Sequence, residues 1–312
     1  MTKQQKIKAN GNKRLALKKD IPLILMALPA LIILFLFNYV PMFGTVMAFK
    51  DFTPREGIWG SPWVGLDNFE YIFSSGDIAV SIRNTMLYNI AFQITIPCCA
   101  LLISILLFFI KSKKMANMYQ SVTLFPYMVS YTVIGYILYI MFKSTGGLLN
   151  VMLENAGAQG IAWYTEPKYW PFILVIANAW FGAGVKAVYY YSAFMAIDES
   201  LFEAADMDGA KFYHKIFKIM IPSIAPTICI FLISDLGHIL QSNFSLYYSL
   251  TLDSSALYSV TDVLATYQYR GLTMGSIGTT TALGLFVNVV TVIVTLAVNG
   301  IVKKINPDNA LF

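Results

Sequence analysis

Four stretches of this sequence run for 27 to 32 residues without a formal charge: 21–49, 84–110, 115–142 and 271–302. Two more are nearly as clean. Residues 169–197 are interrupted only by Lys186, and 219–252 only by Asp235 and His238. A helix needs about 20 mostly apolar residues, rising 1.5 Å each, to cross roughly 30 Å of hydrocarbon. All six runs clear that length, so the solvent that most constrains the fold is lipid. Composition agrees: 12% of residues are charged, about half the share usual in a soluble domain. Packing the six runs inside a water-soluble helical protein would demand six unusually long core helices with almost no polar faces.

The expected architecture is therefore all-α, with spans near 21–43, 85–110, 118–142, 170–195, 222–243 and 279–302. The first is read as a retained span, because its basic prefix is long and Asn38-Tyr39-Val40-Pro41 offers no small-residue cleavage site. Basic residues then fix the direction. Fifteen Lys and Arg fall on one side, in the tail 1–20, at Lys111, Lys113 and Lys114, in the segment between spans four and five, and at Lys303 and Lys304. Six fall on the other, and Lys186 is embedded. The positive-inside rule puts both termini, including the tail 305–312, on the cytoplasmic side, with the six-span body at 21–304 in the cell (plasma) membrane.

The residue inventory excludes several classes. Cys98, Cys99 and Cys229 lie in apolar runs without ligand-spaced partners and read as small buried thiols. Two histidines supply no metal set and no obvious catalytic base, and no Gly-Lys-Ser or Gly-Lys-Thr phosphate loop occurs. An enzyme, a cofactor-binding chain and a nucleic-acid binder are all disfavoured.

The segment 198–222 is the one cytoplasmic stretch longer than a turn. Ser200 with Glu203 three residues later reads as a capping box starting a helix near Leu201. Gly209 suits a left-handed helix end, and Pro222 suits the first turn of the next span. Such a helix–glycine–helix fits a groove in another protein or a lipid surface; Lys211, Lys215 and Lys218 suit the lipid.

That segment resembles the EAA loop of membrane subunits of binding-protein-dependent ABC importers: Glu203-Ala204-Ala205, Gly209, Ile219, Ile221 and Pro222 match position by position. Further stretches resemble the carbohydrate-importer permeases, and within them the LplB-like and maltose-type group. They are 39–44, 48–52, 63–69, Arg83-Asn84-Thr85, 120–127 with Ser130, 266–271 and 281–286. The resemblance implies a type I importer permease fold with six spans. It implies that Glu203, Ala204, Ala205, Asp208, Gly209 and Pro222 couple to an ATPase. It also implies a second homologous permease, a dimeric ATPase that binds ATP and Mg, an extracellular solute-binding lipoprotein and an oligosaccharide solute. The alternative solute classes are peptide, amino acid or polyamine.

Ionisable groups within spans usually face a bundle interior or an aqueous path. Asp235, His238 and Gln241 recur every three residues in span five, which places them on one helical stripe. They are candidate sugar-hydroxyl partners, with Tyr247 and Tyr248 as stacking rings; the alternative is a packing network in which Asp235 accepts from a neighbour. Lys186 is expected to snorkel to the interface, with a pair to Asp235 as the alternative. Pro126 and the run from Gly275 to Gly278 read as kink and close-packing elements.

Overall fold

Six apolar helical units, two of them bent, make up the structure, a computed structural model that describes residues 24–305. The tails at 1–20 and, Ile305 apart, 305–312 lie outside the described residues. Helix α1 (Ile24–Phe49) changes from α to π to 3-10 geometry along its length. Its first half is exposed throughout, as a lipid-facing helix without an inward polar stripe should be. Helix α2 (Asp67–Ser74) is short and amphipathic, and α3 (Gly76–Phe108) is a continuous 33-residue span.

Span three is two helices, α4 (Lys113–Met128) and α5 (Tyr131–Phe142), meeting at 90°. The break follows Pro126, whose ring cannot continue the ladder; its carbonyl accepts instead from Val129 N at 3.1 Å. Ser130 restarts the chain as a cap, accepting from Val133 N at 3.3 Å. The sequence places a kink here; the structure makes it a right angle.

Helix α6 (Leu148–Asn155) lies between spans three and four, and α7 (Trp170–Met195) is span four with the predicted boundaries. The loop helix α8 (Glu199–Met207) leads through α9 (Phe212–Ser223) to α10 (Ala225–Gly237), with α9 and α10 bent by 59°. Pro226 at the start of α10 removes a donor and crowds the turn before it, which separates the two. The bent unit thus ends at Gly237, short of the expected end at 243, and begins before the expected 222. Helices α11 (Phe244–Thr251), α12 (Leu264–Thr273) and α13 (Ile277–Ile305) complete the chain.

Helix α7 packs along α3, and α4 closes over α7 where Gly184 meets the backbone of Thr123. Helix α13 packs on the C-terminal half of α1 and on α10. Small residues let these backbones approach, the usual source of cohesion where lipid removes a hydrophobic drive between helices. Gly278, in the small-residue run, is one such position: a Cβ there would lie 2.7 Å from Lys50 O. The cysteines differ from expectation. Cys98 and Cys99 are exposed and Cys229 is half-buried, because α3 turns Pro97, Ala100, Ser104 and Leu107 to the core.

Four of the stretches that carry the family resemblance take part in two hydrogen-bonded ties. Asn68 Nδ2 donates to Ala48 O and Lys50 O, each at 3.0 Å, and Asn68 Oδ1 accepts from Thr279 Oγ1 at 3.2 Å, tying α1 to the start of α13. Arg83 Nη2 donates to Ser259 O at 2.8 Å, Asn84 Nδ2 to Asp262 O at 2.9 Å, and Leu264 N to Thr85 Oγ1 at 3.0 Å. Buried Asp262 also accepts from Ser81, Thr266 and Arg270, so a carboxylate that would be costly alone is fully partnered.

Candidate functional site

Two places combine exposure with polar or docking character. The first is the loop between α7 and α10. Asp198, not Ser200, caps α8: its carboxylate accepts from Ser200 N at 3.0 Å, and the helix begins at Glu199. The expected Ser200–Glu203 box does not form, because the acid two residues earlier already takes the free amide. Hydrogen bonds from Ser200 hold the Asp198 carboxyl below its ordinary range. Gly209 ends the helix at φ +69°, and Ala210 N reaches back to Ala205 O at 2.9 Å. That conformation is cheap for glycine alone.

The helix is seated by aromatic side chains. Phe202 packs on Phe108 with ring centroids 5.4 Å apart, and Phe212 on Phe109 at 4.4 Å. Lys215 pairs with Asp206, bracing α9 against α8. With Phe202 and Ala205 turned inward, the opposite face presents Leu201, Glu203, Ala204, Met207 and Asp208 to solvent, and Met207 is 89% exposed. Gly209 and Pro222 are also exposed. An exposed methionine and leucine on a short, well-anchored helix leave a small apolar face without a partner in this chain.

The second place is an open cavity of about 500 Å3 lined by α3, α4, α7, α10 and the loop after α10. Asp235, His238 and Gln241 all reach it, but not as one helical stripe. Helix α10 ends at Gly237, so His238 caps it with φ −105°, and Gln241 lies in the following loop. His238 Nδ1 lies 2.8 Å from Ser234 O. A carbonyl only accepts, so Nδ1 is the donor of this hydrogen bond. Asn89 Nδ2 donates to Ile239 O at 2.7 Å and to Gln241 O at 2.8 Å, which satisfies carbonyls released where the helix stops.

Lys186 pairs with Asp235 across the cavity wall instead of snorkelling away. Its ammonium also lies 5.4 Å from the centroid of the Phe231 ring. The partner is 49 residues distant in sequence, and an intramembrane cation with an anion in reach gains more from pairing than from a stretched path to the interface. Sequence reasoning also missed the amides Asn89, Gln93 and Asn178 and the rings of Phe92, Tyr127 and Tyr189, all in the lining. Their signal was available, since amides are costly within charge-free spans.

Tyr247 and Tyr248 do not join this cavity. Tyr247 is buried edge-on against Tyr88, its centroid 5.2 Å away, in a cluster with Trp170 and Leu174. No face of its ring is open to a solute. Tyr248 stacks on Phe244 at 4.8 Å and meets Tyr269 at 5.3 Å, away from Asp235.

Comparisons with known proteins agree with this architecture. A family model described as "binding-protein-dependent transport system inner membrane component" matches residues 100–307, more than half of the chain. Protein LplB of Bacillus subtilis is 32% identical over 295 residues, covering 94% of this chain and 92% of that protein. The B. subtilis polygalacturonan/rhamnogalacturonan transport system permease protein YteP is 30% identical over 307 residues, covering 96% and 94%. A bacterial ABC transporter involved in the import of the acidic polysaccharide alginate superposes with a TM-score of 0.85 at 29% identity, covering 95% of this chain and 99% of that one. The chain belongs to the binding-protein-dependent transport system inner membrane components, the membrane-embedded, multi-pass permeases of ABC importers.

Proposed function

We propose that this chain is one half of the translocation pathway of an ATP-driven importer for a complex oligosaccharide. A second homologous permease supplies the other half, a dimeric ATPase binds ATP and Mg, and an extracellular lipoprotein delivers the solute. Both termini and the loop 198–222 face the cytoplasm. The carbohydrate assignment draws on the polysaccharide-transport relatives and on a cavity of amides, a carboxylate and aromatic rings, groups suited to hydroxyls and sugar faces.

One observation carries the mechanism. The loop that holds α8 is continuous with the two helices that carry Lys186 and Asp235, α7 on one side and α9–α10 on the other. From Lys186 to the end of α7 is about ten residues, roughly 15 Å of helix. Movement of α8 in a cleft of the ATPase is therefore delivered to the Lys186 wall through a short helical lever and to the Asp235 wall through the bent α9–α10 unit. The chain makes and breaks no covalent bond; it contributes a conformational equilibrium and a weak solute site whose exposure that equilibrium alternates. The test is transport in proteoliposomes holding both permeases and the ATPase. ATP with the loaded binding protein should drive accumulation of labelled oligosaccharide. Accumulation of an amino acid, peptide or polyamine, with no oligosaccharide entering, would refute the solute assignment.

A further inference from the structure

The charges in the cavity point to a solute class narrower than oligosaccharide. Among the residues lining it, Lys186 and Asp235 carry the formal charges, and they neutralise one another. The two are not equally open. The Lys186 side chain is 14% exposed and the Asp235 side chain 36%. The ammonium lies against the Phe231 ring, and the carboxylate is the more exposed of the two groups. A solute entering from the cavity meets an anion, the amides of Asn89, Gln93 and Asn178, and aromatic faces. We infer that this half of the pathway selects uncharged oligosaccharides over uronate-bearing ones, with Asp235 as the hydroxyl acceptor and Lys186 as the positioning residue that orients it. The inference rests on the oligosaccharide reading above.

The chemistry follows from the two environments. A carboxylate accepts from two adjacent hydroxyls at once, and charge-assisted hydrogen bonds are the stronger kind. A carboxylate on the sugar would instead stand against Asp235, and like-charge juxtaposition is penalised. For Lys186 to bind a sugar carboxylate it would have to give up Asp235 and leave that group unpaired in the membrane. An acidic substrate needs a free cation, and this cavity offers none from the residues that line it. The selectivity inferred here therefore differs from that of the transporter of acidic alginate with which the fold superposes.

The experiment is equilibrium binding to the full permease–ATPase complex in nanodiscs, with the binding protein omitted so that its own selectivity does not enter. The probes are matched oligosaccharides that differ only in whether C6 is a hydroxymethyl group or a carboxylate. For the native chain the uncharged members should bind on the order of tenfold more tightly than their uronate counterparts. Asp235→Asn unmasks the cation and should shrink or invert that ratio. The exchange of the pair, Lys186→Asp with Asp235→Lys, keeps an ion pair for folding while placing the cation at the more exposed position, and should favour the uronates. Uronates binding the native complex as tightly as the uncharged sugars would overturn the inference, as would an unchanged ratio in both variants. If no member of the panel binds the native complex, the carbohydrate reading itself fails, and this inference fails with it.

Discussion

Replacing Gly184 by alanine tests the idea that span four is held in place by backbone contact and not by side-chain fit. A Cβ at Gly184 would lie 1.9 Å from Thr123 O and 2.7 Å from Thr123 C. Real Cβ atoms essentially never approach below 3.0 Å, so α7 and α4 must part by about 1 Å, the difference between 3.0 and 1.9 Å. The obstacle is the main chain of a helix, with no flexible end to swing aside. Overpacking of this kind typically costs about 1–3 kcal/mol, and an immovable neighbour argues for the upper end. For a chain of this size the upper end corresponds to roughly 3–5 °C in apparent melting temperature. Gly182, half a turn away, supplies the control: its Cβ would meet only Ile96 Cδ1, at 3.3 Å, a side-chain end that can yield. Thermal unfolding of the detergent-solubilised complex should show a large loss for Gly184→Ala and little for Gly182→Ala. Because Lys186 follows within one turn, solute binding should weaken in the first variant as well. Equal melting temperatures for the two variants would refute the reasoning.

Asp235→Asn should raise the oligosaccharide concentration needed for half-maximal uptake while basal ATP hydrolysis stays near normal, since a missing charged partner is worth about 1–3 kcal/mol; unchanged uptake with a sharp fall in complex yield would make the residue structural. Ala205, half-buried beneath α8, should tolerate no bulk: Ala205→Leu is expected to leave membrane insertion intact and to reduce ATPase co-purification severalfold, measured by quantitative immunoblot. Asp198→Ala should speed amide exchange at Glu199 to Leu201, and Asp198→Asn should preserve protection. Because the folded state lowers the Asp198 pKa, the cap's contribution is present above the carboxyl's unfolded value and is lost as pH falls through the depressed one. A single cysteine at position 113, in a chain otherwise stripped of cysteine, should resist an impermeant thiol reagent in intact cells; labelling there would reverse the topology.

The architecture was legible in the sequence because lipid imposes a simple code: uncharged length for a span and basic residues for its direction. Trp170–Met195 shows it at its clearest, since both predicted ends stand. The code weakens where backbone and tertiary contacts decide. Pro126 marked a kink, but the 90° angle depends on Ser130 restarting the helix. Ser200 reads as the cap from its spacing to Glu203, and the folded chain uses Asp198 instead, whose carboxylate reaches Ser200 N. The polar cavity was half visible. Asp235 and Lys186 each declared themselves by charge, but whether they pair or part was decided by the packing of α7 against α10. Tyr247 was misplaced because an aromatic near a polar run looks like a stacking ring until its neighbours are known; here they are Tyr88 and Trp170.

The claim that the loop around α8 couples an ATPase to the pathway stands or falls on Gly209. A side chain there meets open space, so nothing steric opposes it, yet its φ of +69° is strained for any L residue and worst for a β-branched one. Gly209→Val leaves all six apolar spans unaltered and reshapes only the exit of the loop helix. The measurement is ATP hydrolysis stimulated by the loaded binding protein, made beside solute uptake and ATPase co-purification in the same proteoliposomes. The account predicts normal insertion of the variant, with loss of stimulated hydrolysis and of uptake together. Full ATPase recovery with normal stimulated hydrolysis and uptake would contradict it, and would return the segment to a helix resting on lipid headgroups.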